Sequence, residues 1–333
     1  MKSWMITQYG SPADSLALRD SETPVPEKDE VLIKVNAAAF NPIDYKILRG
    51  DLRMVSKLHF PEPIGFDVSG EVVEKGNNVK NIEWGAQVFS RVAKSGTMAE
   101  YVKAKAGHVA HKPSNITHQQ AAGIPLAGLT AYQALFDIAA LTSGEHVFIP
   151  AGSGGVGSLA IQLANAAGAY VATTTSSVNV DWVNGLITGR VIDYTRDDYT
   201  LLLKEFDVVF DTLGGEHTLN AFDILKCGGR LVTIAGGVDV HTAKELGLNK
   251  LIQWYLAFKL RKITRRARAM NVSYRYKLMN PDGKQLQEIA QLIEEKKVIP
   301  VVDSVFPFER AHEALQRVAE GRAKGKVIVH VTG

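Results

Sequence analysis

The residues with the most specific chemistry lie between 145 and 168. A short apolar run, His146 to Pro150, is followed by Gly152-Ser153-Gly154-Gly155-Val156-Gly157, and then by Leu159, Ile161, Leu163, Ala166 and Ala167 at helical spacing. A glycine turn between a buried strand and a helix is an arrangement that holds a dinucleotide pyrophosphate, and these flanks supply the context that a bare GxGxxG lacks. Gly152 allows the tight turn, Gly154 lets the pyrophosphate approach the backbone, and Gly157 lets helix and strand pack closely. The helix N-terminus then offers unpaired N–H groups and the positive end of its dipole to the phosphates. Ser153, Gly155 and Val156 complete this candidate cradle.

NAD-preferring sites of this type place a carboxylate about 20 residues beyond the glycines, on the ribose 2′-hydroxyl. Here that stretch reads Thr173-Thr174-Thr175-Ser176-Ser177, with no carboxylate before Asp181. The small hydroxyls of Thr175, Ser176 and Ser177 leave room for a 2′-phosphate and can donate to it, which favours NADPH.

These residues need a scaffold, and the chain changes texture to provide one. Residues 1–120 read as short strands (Val31 to Val35, Val68 to Val73, Gln87 to Phe89) punctuated by Pro24, Pro26, Gly76 and Gly85, the pattern of an antiparallel β domain. Ala127 to Ala140 is an alanine-rich helix pattern. Beyond it, strands at Tyr170 to Thr173, Val191-Ile192, Phe206 to Phe210, Arg230 to Ile234 and Val272 to Met279 alternate with helices, the rhythm of a doubly wound parallel sheet. The helices at 285–297 and 309–320 and the strand Val327 to Val331 break that rhythm and are expected to rejoin the first domain. The fold class is α/β, with domains at 1–124 plus 280–333 and at 125–279.

Composition narrows the function. The 333 residues are 46% hydrophobic and 22% charged with a net charge of +3, which is ordinary for a globular protein and gives no reason to expect nucleic acid as a partner. One cysteine, Cys227, excludes an internal disulfide and a cysteine-rich zinc site. Met1-Lys2-Ser3-Trp4 leads straight into strand-like sequence and no run approaches about 18 apolar residues, so the expectation is a soluble cytoplasmic protein.

Several stretches together resemble the zinc-free quinone oxidoreductase branch of the medium-chain dehydrogenase/reductases. Asn41-Pro-Ile-Asp44-Tyr-Lys46 with Arg49-Gly50, Pro63-Ile-Gly65-Phe-Asp67-Val-Ser-Gly70, Gly96-Thr-Met-Ala-Glu100-Tyr101, Pro125 to Leu135, Ala151 to Gly157, Phe206 to Asp211 and Gly325-Lys326-Val-Ile-Val match its motifs in the family's order. The resemblance implies a GroES-like β-rich catalytic domain built from both chain ends, a central Rossmann domain, a cleft between them for the reaction, and a homodimer. It carries over Thr130, Leu213 and Gly236 as further cofactor contacts and Tyr194 as a 2′-phosphate contact. Arg322 would supply a positive charge by analogy. For Tyr194 and Arg322 the alternatives are plain packing and a solvated charge. In the resembling zinc enzymes a cysteine stands at Asn41 and a histidine at Phe66, so the ligands of a catalytic zinc are lacking; His108 and His111 have no partners at metal-binding spacing. Without a Lewis acid to lower an alcohol's pKa, reduction of an already polarised acceptor is the better reading than alcohol oxidation.

Lys46 stands where related reductases carry tyrosine or lysine; it either meets the cofactor ribose or a developing enolate, or is a solvated loop lysine. Asn41 either donates to the acceptor carbonyl or caps a turn, Asp44 shapes the loop, and Tyr276 either lines the cleft or packs in the core. Tyr255 and Lys259 have the Y-x-x-x-K spacing of short-chain dehydrogenases, but about 140 residues precede the glycine turn, so that spacing is read as coincidence. They sit in a basic amphipathic stretch, 251–268, whose stripe of Ile252, Leu256, Leu260, Ile263 and Ala267 is surrounded by Lys259, Arg261, Lys262, Arg265, Arg266 and Arg268. Packing on its own domain or on a second subunit is the expected use of that stripe, and contact with a membrane surface is the alternative. The function that follows is NADPH-dependent hydride transfer to a small electrophilic acceptor, a quinone or an α,β-unsaturated carbonyl. The competing reading is an NADPH-binding protein of little catalytic activity, acting structurally or through RNA or a membrane.

Overall fold

The computed structural model of the chain describes residues 1–53 and 57–331. The chain divides into two units, Met1–Leu129 with Pro281–Lys296 and Pro300–Gly333, and Thr130–Asn280 with Lys297–Ile299. The last short segment belongs to the second unit through Gln162, whose amide donates to Ile299 O (3.0 Å) and accepts from Ile299 N (2.7 Å).

In the second unit six strands form one parallel sheet: β1 (His146–Ile149), β2 (Tyr170–Thr175), β3 (Gly189–Asp193), β4 (Phe206–Asp211), β5 (Leu225–Thr233) and β6 (Ser273–Tyr276). Their order is β3-β2-β1-β4-β5-β6, the doubly wound order in which strand succession reverses between β1 and β4. Strands covered on both faces read as unbroken apolar runs, and Val147-Phe148-Ile149 and Val208-Val209-Phe210 are fully buried accordingly. Helix α1 (Gly155–Ala166) follows β1 directly after the glycine turn.

The basic stretch departs from the single stripe expected of it. It forms two helices, α2 (Lys250–Lys259) and α3 (Arg261–Ala269), with the chain turning at Leu260. Leu260 and Ala267 are buried, and Ile263 and Met270 pack with Ala267 on the sheet's core. None of the residues of α2 is buried. The stripe divides because only its C-terminal half meets core side chains.

In the first unit the strands Val302–Pro307, Lys326–His330, Glu30–Phe40, Asp67–Lys75, Gln87–Arg91 and Val109–His111 lie side by side in that order, with Tyr101–Lys105 also paired to Glu30–Phe40. Val327 opposite Phe40 and His330 opposite Ala37 fix the antiparallel register that builds the C-terminal strand into this sheet. The signature residues after Phe40 form a helix, Pro42–Arg49. Its sequence carries the start and stop signals: Asn41 at the N-cap, Pro42 in the first turn, Asp44 at N3, and Gly50 at φ 83° to end it. Among the described residues no helix is long and apolar enough to cross a membrane.

Candidate active site

Apart from Thr130 and Arg322, the cofactor residues read from the sequence follow the C-terminal ends of the second unit's strands, where ligands bind in doubly wound folds. The turn after β1 brings Gly154 to the N-cap of α1 with no side-chain cap, so the N–H groups of Gly155, Val156 and Gly157 point out of the helix without an intrahelical acceptor. The three glycines of the turn differ in why they are glycine. A Cβ on Gly157 would lie 2.1 Å from Ala151 O, and one on Gly152 would lie 2.3 Å from Thr173 Oγ1. Both serve the fold. A Cβ on Gly154 would meet only Ala151 O, at the ordinary contact distance of 3.4 Å, so the protein's own packing does not require glycine there. A pyrophosphate at the N-terminus of α1 would require it, and the open N–H groups there fit that group.

Thr175 ends β2, and Ser176 and Ser177 follow. Register places Thr175 beside Asp193 of β3, and Ser177 Oγ donates to the Asp193 carboxylate and lies 2.9 Å from Thr195 Oγ1. Arg196 stands 3.5 Å from the same carboxylate. The hydrogen bonds from Ser177 and Thr195 hold Asp193 below its usual pKa. Asp193 and Arg196 thus join the Ser177 position although neither was singled out in the sequence. Tyr194, between them in sequence, exposes its ring, while its N–H donates to Thr175 O (3.1 Å). At the end of β4, buried Asp211 accepts from Leu213 N (3.0 Å), Gly214 N (2.8 Å) and Thr233 Oγ1 (3.1 Å), and so presents the exposed Leu213 on its turn. Gly236 follows β5 on the same edge, and Tyr276 ends β6, its N–H donating to Asp239 Oδ2 (2.6 Å). Tyr276 is half-buried, and burial raises its pKa. Thr130 is buried in the helix Pro125–Tyr132.

The first unit holds a second polar centre. Antiparallel pairing brings four strand ends to one edge of its sheet: Phe40 leading into Asn41, the start of Asp67–Lys75, the end of Gln87–Arg91, and the start of Lys326–His330. Asn41 Nδ2 donates to Asp67 Oδ2 (2.9 Å), and Asn41 Oδ1 accepts from Lys326 Nζ. Lys326 Nζ stands 3.4 Å from Asp67 Oδ2, and the other carboxylate oxygen of Asp67 accepts from Leu126 N (2.8 Å). Asp44 is fully buried beside them, with Oδ2 accepting from Asn41 N (2.7 Å). Its Oδ1 and Arg91 Nε are buried and lack a hydrogen-bond partner among the described residues. Burial pushes the Asp44 carboxyl up to about 7, and the charge of Asp67 adds to the rise. Burial also raises Asp67, opposed by the Lys326 ammonium.

This centre bears on the metal question through chemistry. The Asn41 amide spends both its ends on Asp67 and Lys326, and the Phe66 ring lies under the Arg91 guanidinium, 4.7 Å from its centroid. The Lys326 ammonium occupies the amide oxygen of Asn41 and faces the Asp67 carboxylate, and its charge repels a divalent cation approaching either. Among the described residues no group of three or more His, Cys, Asp or Glu side chains is placed to hold a metal ion.

Of the remaining candidates, Lys46 is exposed on the helix Pro42–Arg49, and its side chain has no hydrogen bond or ion pair among the described residues. Arg322 is exposed in the first unit, with its carbonyl accepting from Arg317 (3.4 Å). The Y-x-x-x-K pair turns on itself: Lys259 Nζ lies 5.1 Å from the Tyr255 ring centroid, and both side chains are exposed on α2.

Residues 27–114 match the alcohol dehydrogenase GroES-like domain family, and residues 188–329 match the family described as zinc-binding dehydrogenase. The mitochondrial NAD(P)H oxidoreductase RTN4IP1 of Danio rerio is 34% identical over 99% of this chain and 91% of its own length. The chloroplastic NADPH-dependent alkenal/one oxidoreductase of Arabidopsis thaliana is 33% identical over 99% of this chain and 79% of its own. Among solved structures, the quinone oxidoreductase from Coxiella burnetii superposes with a TM-score of 0.84 at 32% identity, covering 100% of this chain and 99% of that one. With that likeness spanning the chain, and with its parallel sheet, glycine turn and metal-ligand positions as described, the protein belongs to the medium-chain dehydrogenase/reductase superfamily, in its quinone oxidoreductase branch.

Proposed function

We propose that this protein is an NADPH-dependent reductase of quinones or α,β-unsaturated carbonyls that works without a metal. The observation that carries the reading is Gly154 at the N-cap of α1, a glycine that the fold's own packing does not require and that leaves the helix N-terminus open to a pyrophosphate. The bound nicotinamide supplies hydride. The chain's part is to bind and orient it and to stabilise the oxyanion that develops on the acceptor. The N-terminus of α1 takes the pyrophosphate. Ser177, Tyr194 and Arg196 take the 2′-phosphate, with Arg196 exchanging its contact with Asp193 for the phosphate. Thr130, Leu213 and Gly236 contact the rest of the cofactor. For the acceptor, Lys46 is the candidate: its ammonium has no hydrogen bond or ion pair among the described residues, whereas Lys326 is buried on Asp67 and Asn41. The names of the relatives, an NAD(P)H oxidoreductase and an NADPH-dependent alkenal/one oxidoreductase, support the reaction class.

The test is an acceptor series (naphthoquinone, short enone, aldehyde, alcohol) followed by NADPH absorbance. Turnover of the quinone or the enone, undiminished by a chelator, is expected. NADPH binding without oxidation by any acceptor would replace this reading with that of a cofactor-binding protein.

A further inference from the structure

The helix α2 carries Leu251, Trp254, Tyr255 and Phe258 at i, i+3, i+4 and i+7, one face of a helix. Their exposures are 80%, 71%, 51% and 53%, so the face most suited to burial is the one turned to solvent. Large contiguous apolar faces on a soluble surface mark contact sites. The charge around it is equally one-sided. Between Glu245 and Asp282 the chain has nine Lys and Arg residues and no Asp or Glu, although the whole protein is only +3. Arg266 is committed to Asp223, and Arg275 lies 3.9 Å from Asp239. Lys250, Lys259, Arg261, Lys262, Arg265 and Arg268 remain exposed on α2 and α3. Helix α3 packs inward through Ile263 and Ala267, leaves Arg261, Lys262, Arg265 and Arg268 exposed, and sets Arg261 against the Phe258 ring of α2.

We propose that α2 and α3 dock this protein on an anionic lipid bilayer surface. Ten residues make a helix about 15 Å long, which lies in the interface plane instead of spanning it. Leu251, Trp254, Tyr255 and Phe258 enter the headgroup–acyl boundary, and the cations around them meet lipid phosphates. Charge complementarity selects this occupant. A second copy of the same face would bring two clusters of like charge together, and neither α2 nor α3 carries a carboxylate of its own to offset them. A single-stranded nucleic acid would need a row of free ring faces for base stacking. Here Arg261 lies over the Phe258 ring at 4.1 Å and Lys259 over Tyr255, so Trp254 alone of the three rings has no cation over it among the described residues, and Leu251 and Ile252 offer nothing to stack on.

The test uses the full chain with NADPH, sedimented with phosphatidylcholine vesicles with and without phosphatidylglycerol. Binding is expected to the anionic vesicles, weakened by added salt, with a blue shift of tryptophan emission. Each basic residue near such a surface contributes about fivefold in partitioning, so Arg261→Glu with Lys262→Glu should weaken binding by well over tenfold. Trp254→Ser should weaken it about tenfold and abolish most of the emission shift. Both variants should keep the wild-type Tm and solution turnover. Equal binding to both vesicle types, or none, overturns the proposal. So does binding of a single-stranded oligonucleotide in place of vesicles, or a wild-type dimer that Trp254→Ser dissociates.

Discussion

Lys326 and Asp67 form an ion pair, 3.4 Å from Nζ to Oδ2, with both side chains buried in the first unit. The two residues stand 259 positions apart in the chain and meet because their strands flank Glu30–Phe40. Asn41, which leaves that central strand, bonds to both. Desolvating two charges is costly, and the pair persists because each charge has additional hydrogen-bonding partners.

Removing one partner leaves the other charge buried and uncompensated. Lys326→Met should cost about 3–5 kcal/mol of unfolding free energy in urea titration. Lys326→Met combined with Asp67→Asn should cost less than the single change, because no charge is then left buried. A double variant less stable than the single would mean that the ammonium acts through packing.

Asp44 gives this unit a pH dependence of defined sign. Its carboxyl titrates near 3.8 when unfolded and is pushed up to about 7 by burial in the folded chain. The folded state therefore binds the proton more tightly, and Asp44 stabilises the fold fully below the unfolded value. That contribution is lost as pH rises through about 7, with a slope of up to about 1.4 kcal/mol per pH unit. Asp44→Asn keeps an acceptor for the Asn41 N–H and should flatten this stretch of the stability profile. An equally steep profile in the variant would assign the slope to Asp67.

The glycine turn and the strand–helix rhythm were legible because their signals are local: turn residues, apolar runs and helical spacing lie within a dozen residues of one another. The buried charged centre was not. Asn41, Asp67, Arg91 and Lys326 come from four segments, and only sheet register brings them together. One signal was available. Asp67 and Lys326 open apolar runs whose neighbours are buried, and a charge in such a place needs a partner. Asp193 was missed for a similar reason, since its position beside Thr175 depends on parallel register. The break at Leu260 was hidden because the stripe of Ile252, Leu256, Leu260, Ile263 and Ala267 keeps helical spacing through it.

The glycines should separate folding from binding. Gly157→Ala pushes a methyl against Ala151 O and should lower stability by roughly 3 kcal/mol. Gly154→Val should cost no more than about 1 kcal/mol as an altered N-cap, yet abolish NADPH binding in fluorescence titration. Normal NADPH affinity in folded Gly154→Val protein would remove this turn as the pyrophosphate site.

Cofactor preference should respond to charge at the Ser177 position. Ser177→Asp adds a second carboxylate beside Asp193 and should cut the NADPH-over-NADH ratio of kcat/KM by about tenfold or more. Asp193→Asn should raise that ratio. Movement of both ratios in the same direction would place the 2′-phosphate elsewhere.

Lys46 is exposed and its ammonium has no hydrogen bond or ion pair among the described residues, while Asn41 and Lys326 are tied to each other. If this ammonium meets the charge developing on the acceptor oxygen, its interaction exists only in the transition state. Lys46→Met should then lower the single-turnover rate of NADPH oxidation by about a hundredfold, the loss of roughly 3 kcal/mol from one charge-stabilising donor, with the NADPH Kd nearly unchanged. Lys46→Arg restores a cation on a side chain of similar reach and should recover part of the rate. A lysine that only holds the ribose gives the opposite division: a weaker Kd and an intact single-turnover rate at saturating NADPH. Stopped-flow absorbance at saturating cofactor separates the two. A variant matching wild type in both quantities would show a solvated helix lysine, and Tyr276, at the end of β6, would be the next side chain to change.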